Sequence, residues 1–256
     1  MRALIILIIS IFITSPSFGK CGSAVVVYPE GIELDIQGKV IIEGFGYGDY
    51  FEVLKKLDST YPIFVQSGEH KVRLIKEEVI KGQFWWCQAI FRLDEELIEG
   101  RVYELRVQNL SLEHHKSFNL KKMHSNGKFG KIKWLATKVP NQNQSLDFSK
   151  LTLHESKVIL YGCGPSVQTT YMLPTANKNH NFVLTEIMEE NTGKTFKYYL
   201  SLKENLLIVG HGMCSGAYKF KQDKSYKIRF GTTNKKDGID WIAWKNCPNP
   251  WDYENE

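Results

Sequence analysis

The sequence predicts an all-β protein, in which an export leader is followed by two tandem β-sandwich domains. Three observations carry that prediction. From Ser23 onward, apolar and polar residues alternate in short runs punctuated by Gly, Pro, Asp and Ser, which is the two-residue period of half-buried strands. A large apolar residue stands six positions before a tyrosine twice, Leu97 before Tyr103 and Phe220 before Tyr226, and strict alternation follows each time. Two cysteines, Cys163 and Cys214, also sit among glycines at the ends of apolar runs, where the backbone must pass close or take positive φ.

Residues 1–19 read as a cleaved signal peptide. Arg2 supplies the positive charge, Leu4–Ile13 is almost wholly apolar, and Ser15-Pro16-Ser17-Phe18-Gly19 puts small residues before Lys20. A lipoprotein anchored at Cys21 would need a small residue in the place that Lys20 occupies. Secretion or periplasmic residence is therefore the expected localisation. No later segment is apolar for long enough to cross a bilayer as a helix.

Of the 33 Lys and Arg and 28 Asp and Glu, the leader removes only Arg2, which leaves a net charge near +4. That balance is too mild for a nucleic-acid partner. About 237 residues would remain, enough for two ordinary cores. The expected domains are 20–124 and 125–256.

All five cysteines lie beyond the leader, where disulfides persist. The simplest pairing is Cys21 with Cys87 in the first domain and Cys163 with Cys214 in the second. Cys247 is then left over, although spacing does not fix connectivity and Cys247 stays an alternative partner.

In chain order, strands are expected at Ala24–Tyr28, Lys39–Gly44, Ile63–Val65, Lys71–Ile75, Phe84–Leu93 and Val102–Gln108. Phe51–Leu57 instead repeats at helical spacing and reads as one helical turn. The stretch from His114 to Leu146 is the most biased of the chain: it carries seven lysines, no Arg and no acid. It reads as a last strand plus a solvated linker, with the turn Ser125-Asn126-Gly127 near the boundary; a basic strip for an anionic polymer is the functional alternative.

Leu97-Ile98-Glu99-Gly100-Arg101-Val102-Tyr103 is the most specific local pattern. A tyrosine placed there fills the corner at which the chain crosses between sheets, and its hydroxyl bonds the upstream backbone. At these residues the sequence resembles bacterial immunoglobulin-like and fibronectin type III-like modules. Phe220–Tyr226, with Ile228 and Phe230 following, repeats the pattern, so Tyr103 and Tyr226 are the expected structural corners. The resemblance implies sandwiches of that family used for adhesion, spacing or accessory binding, with no cofactor. It also implies a tryptophan packed on a disulfide, for which Trp85 beside Cys87 is the candidate.

No nucleophile elbow, zinc-binding helix or phosphate loop occurs, and the paired acids are adjacent in sequence, so on strands they face opposite ways. The expectation is a non-catalytic binding or structural protein acting on an unknown protein or glycan at the cell envelope. Alternation sends Phe84 and Trp86 to the face opposite Trp85. That pair could be a ligand platform of a carbohydrate-binding accessory protein, or could be buried between domains. Trp241, Trp244 and Trp251 pose the same choice. Gly210-His211-Gly212-Met213-Cys214 holds ligand types of a copper-binding β-sandwich, but the order differs from that of the cupredoxins and a second histidine has no motif, so no metal site is expected.

Overall fold

The computed structural model describes residues 21–111, 114, 118, 120–123, 129–138, 146–173, 182–234 and 238–253. The leader, the Ser125-Asn126-Gly127 turn and about half of the lysine-rich stretch lie outside the described residues. Among the described residues the named elements are strands, one short helix and two 3-10 turns.

The first set of strands comprises β1 (Ala24–Tyr28), β2 (Glu33–Asp35), β3 (Lys39–Phe45), β4 (Ile63–Ser67), β5 (His70–Lys81), β6 (Trp86–Leu93), β7 (Val102–Val107) and β10 (Lys133–Thr137), in the spatial order β1-β3-β6-β5-β4-β7-β10-β2. A small hairpin, β8 (Lys121–Met123) with β9 (Phe129–Lys131), stands apart from it. All pairs in this set are antiparallel except β10 with β2, which run parallel. β5 makes two layers out of this path. Its first residues, from His70, pair with β4, and from Leu74 it pairs with β6, with a register shift between Lys76 and Glu78. An irregularity of that kind bends a strand and lets it leave one layer for the other. Between the layers lie Val40 and Ile42 from β3, Phe91 from β6, Val65 from β4 and Trp134 from β10, all buried.

Helix α1 (Tyr50–Lys56) plugs the end of this core. Tyr50, Val53 and Leu54 are its buried face, and Asp49 makes no side-chain cap, so at seven residues the helix depends on packing against β3, β5 and β6.

The second set repeats the plan. It comprises β11 (Thr152–Tyr161), β12 (Gly164–Met172), β13 (Phe182–Glu189), β14 (Lys194–Lys203), β15 (Leu206–His211), β16 (Tyr226–Asn234), β17 (Gly238–Trp241) and β18 (Lys245–Cys247). The order is β11-β12-β15-β14-β13-β16-β17, with β18 also on β16. Here β14 is the strand that changes layers, pairing with β13 as far as Ser201 and with β15 at Leu202 and Lys203. With the short β2 set aside, the two sets match: β1 pairs with β3 and β5 links the layers in one, β11 pairs with β12 and β14 links them in the other, which is the connectivity of an immunoglobulin-type sandwich. The first set runs on to Thr137, past the boundary expected near residue 125, because Lys133–Thr137 alternates correctly inside the lysine-rich stretch and zips onto β7 and β2.

The corner geometry is present in both sets. Tyr103 is fully buried and its hydroxyl accepts a hydrogen bond from Ile98 N at 3.0 Å; Tyr226 accepts from Lys221 N at 2.9 Å. The apolar residues six positions earlier, Leu97 and Phe220, are buried too, and Phe220 meets the Tyr226 ring edge-on at 5.1 Å.

The two sets share a joint. Tyr28, Ile41, Ile80 and Ile90 lie on the outer side of the β1-β3-β6-β5 layer, yet they are buried within the second hydrophobic cluster, beside Tyr198 and Leu200. The Tyr28 and Phe182 rings meet edge-on at 4.6 Å, and Lys197 pairs with Glu78 across the joint at 2.6 Å.

Candidate functional site

The joint is polar at its centre. Gln88 is fully buried and behaves as a backbone unit: its Nε2 donates to Tyr199 O at 2.7 Å and its Oε1 accepts from Tyr199 N at 3.2 Å. The same amide donates to Glu43 Oε2 at 2.8 Å, and the Tyr198 hydroxyl donates to that oxygen at 3.1 Å. Both bonds fall on one carboxyl oxygen, so the other is available to carry a proton. Burial, which opposes the charged form, pushes the Glu43 carboxyl up to about 7, although the hydrogen bonds from Gln88 and Tyr198 pull the other way. Glu43 is thus a structural acid, committed to holding the sets together.

At the rim of the joint, the loop after β15 folds back on the turn before β6. Gly216 N donates to Phe84 O at 2.6 Å, Gln83 N to Ala217 O at 2.8 Å, and Trp86 Nε1 to Ser215 Oγ at 2.9 Å. Gly216 is required there, because a Cβ would collide with the backbone of His211. A disulfide between Cys21 and Cys214 (Cα–Cα 5.4 Å) ties the start of β1 to the same loop.

This bond corrects the expected pairing. Cys21 precedes β1 at the edge of its layer, next to the joint, whereas Cys87 points inward on β6 and is buried, donating to Gly44 O at 3.5 Å. Burial pushes the Cys87 thiol up to about 12. Cys163 lies in the exposed turn between β11 and β12, while Cys214 reaches over to the first set. Cys247, on β18, is buried, and burial pushes its thiol too up to about 12.

The aromatic expectation changes as well. Trp85 takes φ +59°, which breaks the alternation that had been read from Phe84 onward, and β6 begins only at Trp86. Phe84 and Trp86 form no open platform and take the other place the sequence allowed, between the two sets. Phe84 lies edge-on to His211 at 4.8 Å, and Trp86 tilts over Tyr198 at 5.8 Å, both half-buried in the joint. Trp85 packs on no disulfide core; it stands out, 52% exposed, with Tyr47, 61% exposed, at a ring separation of 5.0 Å and a tilt of 47°. Its carbonyl accepts from Gly46 N at 3.1 Å, so the backbone is pinned on the side of Tyr47. Tyr47 is flanked by Gly46, at φ +84° with its α-carbon against Gly22 and Ser23, and by Gly48. Those glycines were the signal in the sequence for this turn. The remaining tryptophans have structural partners. Trp241 and Trp244 clasp the Arg229 guanidinium at 4.4 and 4.5 Å, and Trp251 Nε1 donates to Phe220 O at 3.1 Å.

His211 is buried, its Nδ1 stands 2.8 Å from Gly212 O, and burial holds its pKa below the usual value. Cys214 is oxidised and offers no thiolate beside it. Among the described residues no group of three or more His, Cys, Asp or Glu converges as a metal site, and no helix is long and apolar enough to cross a membrane. From the lysine-rich stretch, Lys131 and Lys133 approach Glu104 at 3.0 and 3.9 Å beside Arg106, while Lys116 and Lys128 lie outside the described residues.

No protein-family model and no curated protein match the chain. Among solved structures, it is similar to a pullulanase from Anoxybacillus sp. LM18-11 with a TM-score of 0.25 and 9% identity, over 89% of this chain and 26% of that one. It is also similar to a chain of a cytokine receptor complex (TM-score 0.23, 11% identity, 88% and 96% covered) and to the N-terminal Ig1-2 module of the Drosophila receptor protein tyrosine phosphatase DLAR (0.21, 11%, 87% and 97%). Scores this low leave the fold to be argued from strand order alone.

Proposed function

We propose that the protein is a non-catalytic binding or structural protein, secreted or periplasmic, in which two immunoglobulin/fibronectin-like sandwich modules are clamped into one body and present the Tyr47–Trp85 pair to a protein or glycan of the cell envelope. The observation that carries this reading is Trp85 itself. A bulky residue in the left-handed region costs free energy, and so does a large apolar side chain left in water; a site that combines the two is a candidate for function. The Cys21–Cys214 bond supports export, because such bonds persist in oxidising compartments. Exposed rings also suit the apolar face of a sugar, which keeps a carbohydrate-binding accessory role as the second reading.

Immobilised protein should capture a specific partner from native envelope or retain a glycan on an array. Trp85→Ala and Tyr47→Ala should each weaken that capture about tenfold without changing the melting temperature. Capture that is indifferent to both substitutions would remove the aromatic pair from the function.

A further inference from the structure

The layer of the first set that points away from the joint has a strongly charged outer face, which neither the fold nor the aromatic pair uses. In this layer β5, β4, β7 and β10 lie side by side. Val72, Val65, Leu105 and Trp134 fill its inner side, so the residues one place before or after them turn outward. Register puts Lys71, Gln66, Glu104 and Lys133 in one row across the four strands, and Arg73, Phe64 and Arg106 in the next. Lys131, at the end of β9, reaches the same row. Asp58 holds Arg73 at 2.8 Å, whereas the single carboxylate of Glu104 is divided among Arg106 at 3.1 Å, Lys131 at 3.0 Å and Lys133 at 3.9 Å. Lys71 stands over the Phe64 ring at 3.7 Å. The next acids lie at the margins: Glu33 is opposite Leu135 on the outermost strand, and Glu69 is in the β4–β5 turn. The face carries a groove of about 310 Å³, walled by Gln66, Ser67, Val102, Glu104, Arg106 and Lys133.

We propose that this face binds an acidic polysaccharide, a chain that carries carboxylates and hydroxyls together. The charge of the ligand follows from the imbalance. One carboxylate shared by three cations leaves positive charge over, and Lys71 adds to it at the other end of the row, so the face attracts a polyanion. Glu104 decides which kind. It stands within the row, where it would repel the closely spaced phosphates of a nucleic acid, yet a carboxylate accepts hydrogen bonds from sugar hydroxyls as it does from lysines. The Gln66 amide and the Ser67 hydroxyl beside it are further partners for hydroxyls. A row across four strands is roughly 14 Å long, which suits a stretch of polymer better than a single small ion. The Tyr47–Trp85 pair belongs to the other layer, so this contact is a second one.

The test is binding of the exported chain to polygalacturonate, with neutral dextran and duplex DNA as comparison polymers. Wild type should bind polygalacturonate at about 50 mM salt and be released by about 300 mM, as screening shortens the reach of the charges. Dextran should not be bound, and DNA at matched charge should bind more weakly. Lys71→Gln with Lys133→Gln should weaken polygalacturonate binding about tenfold, whereas Lys55→Gln with Lys56→Gln, which removes the same charge from helix α1, should change it less than about twofold. All four lysines are exposed, so both double variants should melt with wild type. Trp85→Ala should leave this binding unchanged, which separates it from capture by the aromatic pair. Absence of binding at low salt, equal losses from the two double variants, loss with Trp85→Ala, or tighter binding to DNA would each overturn the proposal.

Discussion

Strands β3 and β6 run side by side through two regions with opposite fates. In mid-strand, Ile41 and Glu43 on β3 and Ile90 and Gln88 on β6 are sealed against the second set, where both ends of the Gln88 amide, Glu43 Oε2 and the Tyr198 hydroxyl each have a partner. At the end of the same two strands, Tyr47, two residues after β3, and Trp85, one before β6, are held out in water by a backbone that is also hydrogen-bonded. Backbone hydrogen bonding is common to both regions; burial is not. A surface loop left bare for lack of a partner would be expected to relax, whereas this one is bonded on both sides of the tryptophan. The difference marks the joint as architecture and the rim as the place where binding is to be sought.

Removing the bridge that fixes the rim should have the largest effect. The cysteines are 193 residues apart, so in the chain-entropy account their bond restricts the unfolded chain by about 5 kcal/mol. Cys21→Ser with Cys214→Ser should lower the unfolding free energy by up to about that amount in denaturant titrations, while the buried contacts of the joint survive in the folded state. A double variant as stable as wild type would mean that the joint alone positions the rim.

The sequence made the strands and corners legible and left the joint hidden, for a physical reason. Periodicity reports which face of a strand is buried, and the alternation in β3, β6 and β7 reads out the interior of each set directly. Leu97 with Tyr103 and Phe220 with Tyr226 are legible because a corner is local, closed within six residues. Gln88 and Glu43 look like ordinary solvent-face residues, since nothing local says that Tyr199 will cover them. The same limit misled the cysteines: Cys21 and Cys214 are distant in sequence, and adjacent only once the joint exists. Trp85 failed differently: a single positive φ turns its ring out of the face it would share with Cys87, while Trp86 keeps its expected face and lies half-buried in the joint.

The joint can be broken by pH. Glu43 has its pKa raised from about 4.5 to about 7, so the native state holds a proton that the unfolded chain has released between those values. The stabilisation is therefore complete below about pH 4.5 and is lost as pH rises through about 7, by up to about 3 kcal/mol. Above that, a carboxylate sits in the joint with Lys203 as its attractive charge and Glu30 opposing. Glu43→Gln keeps an oxygen to accept from Gln88 and Tyr198 and cannot ionise. It should match wild type near pH 4.5 and exceed it at pH 8, measured by urea unfolding at both. Parallel curves for the two proteins would show that Glu43 is ionised in the joint and solvated in some other way.

The smallest effect, and the most diagnostic of the rim, is expected from Trp85→Gly. At φ +59° an L-residue is strained by about 1–2 kcal/mol, which glycine does not incur. Against this gain stand the extra freedom of glycine in the unfolded chain and the lost contact with Tyr47, which is itself largely in water. The balance is a melting temperature unchanged or slightly raised, by up to about 1 kcal/mol in stability, together with loss of envelope or glycan capture. Few apolar-to-glycine changes leave a fold untouched, so this outcome would separate a side chain kept for contact from one kept for packing. A clear destabilisation instead would mean that the indole covers the Cys21–Cys214 loop and belongs, after all, to the architecture of the joint.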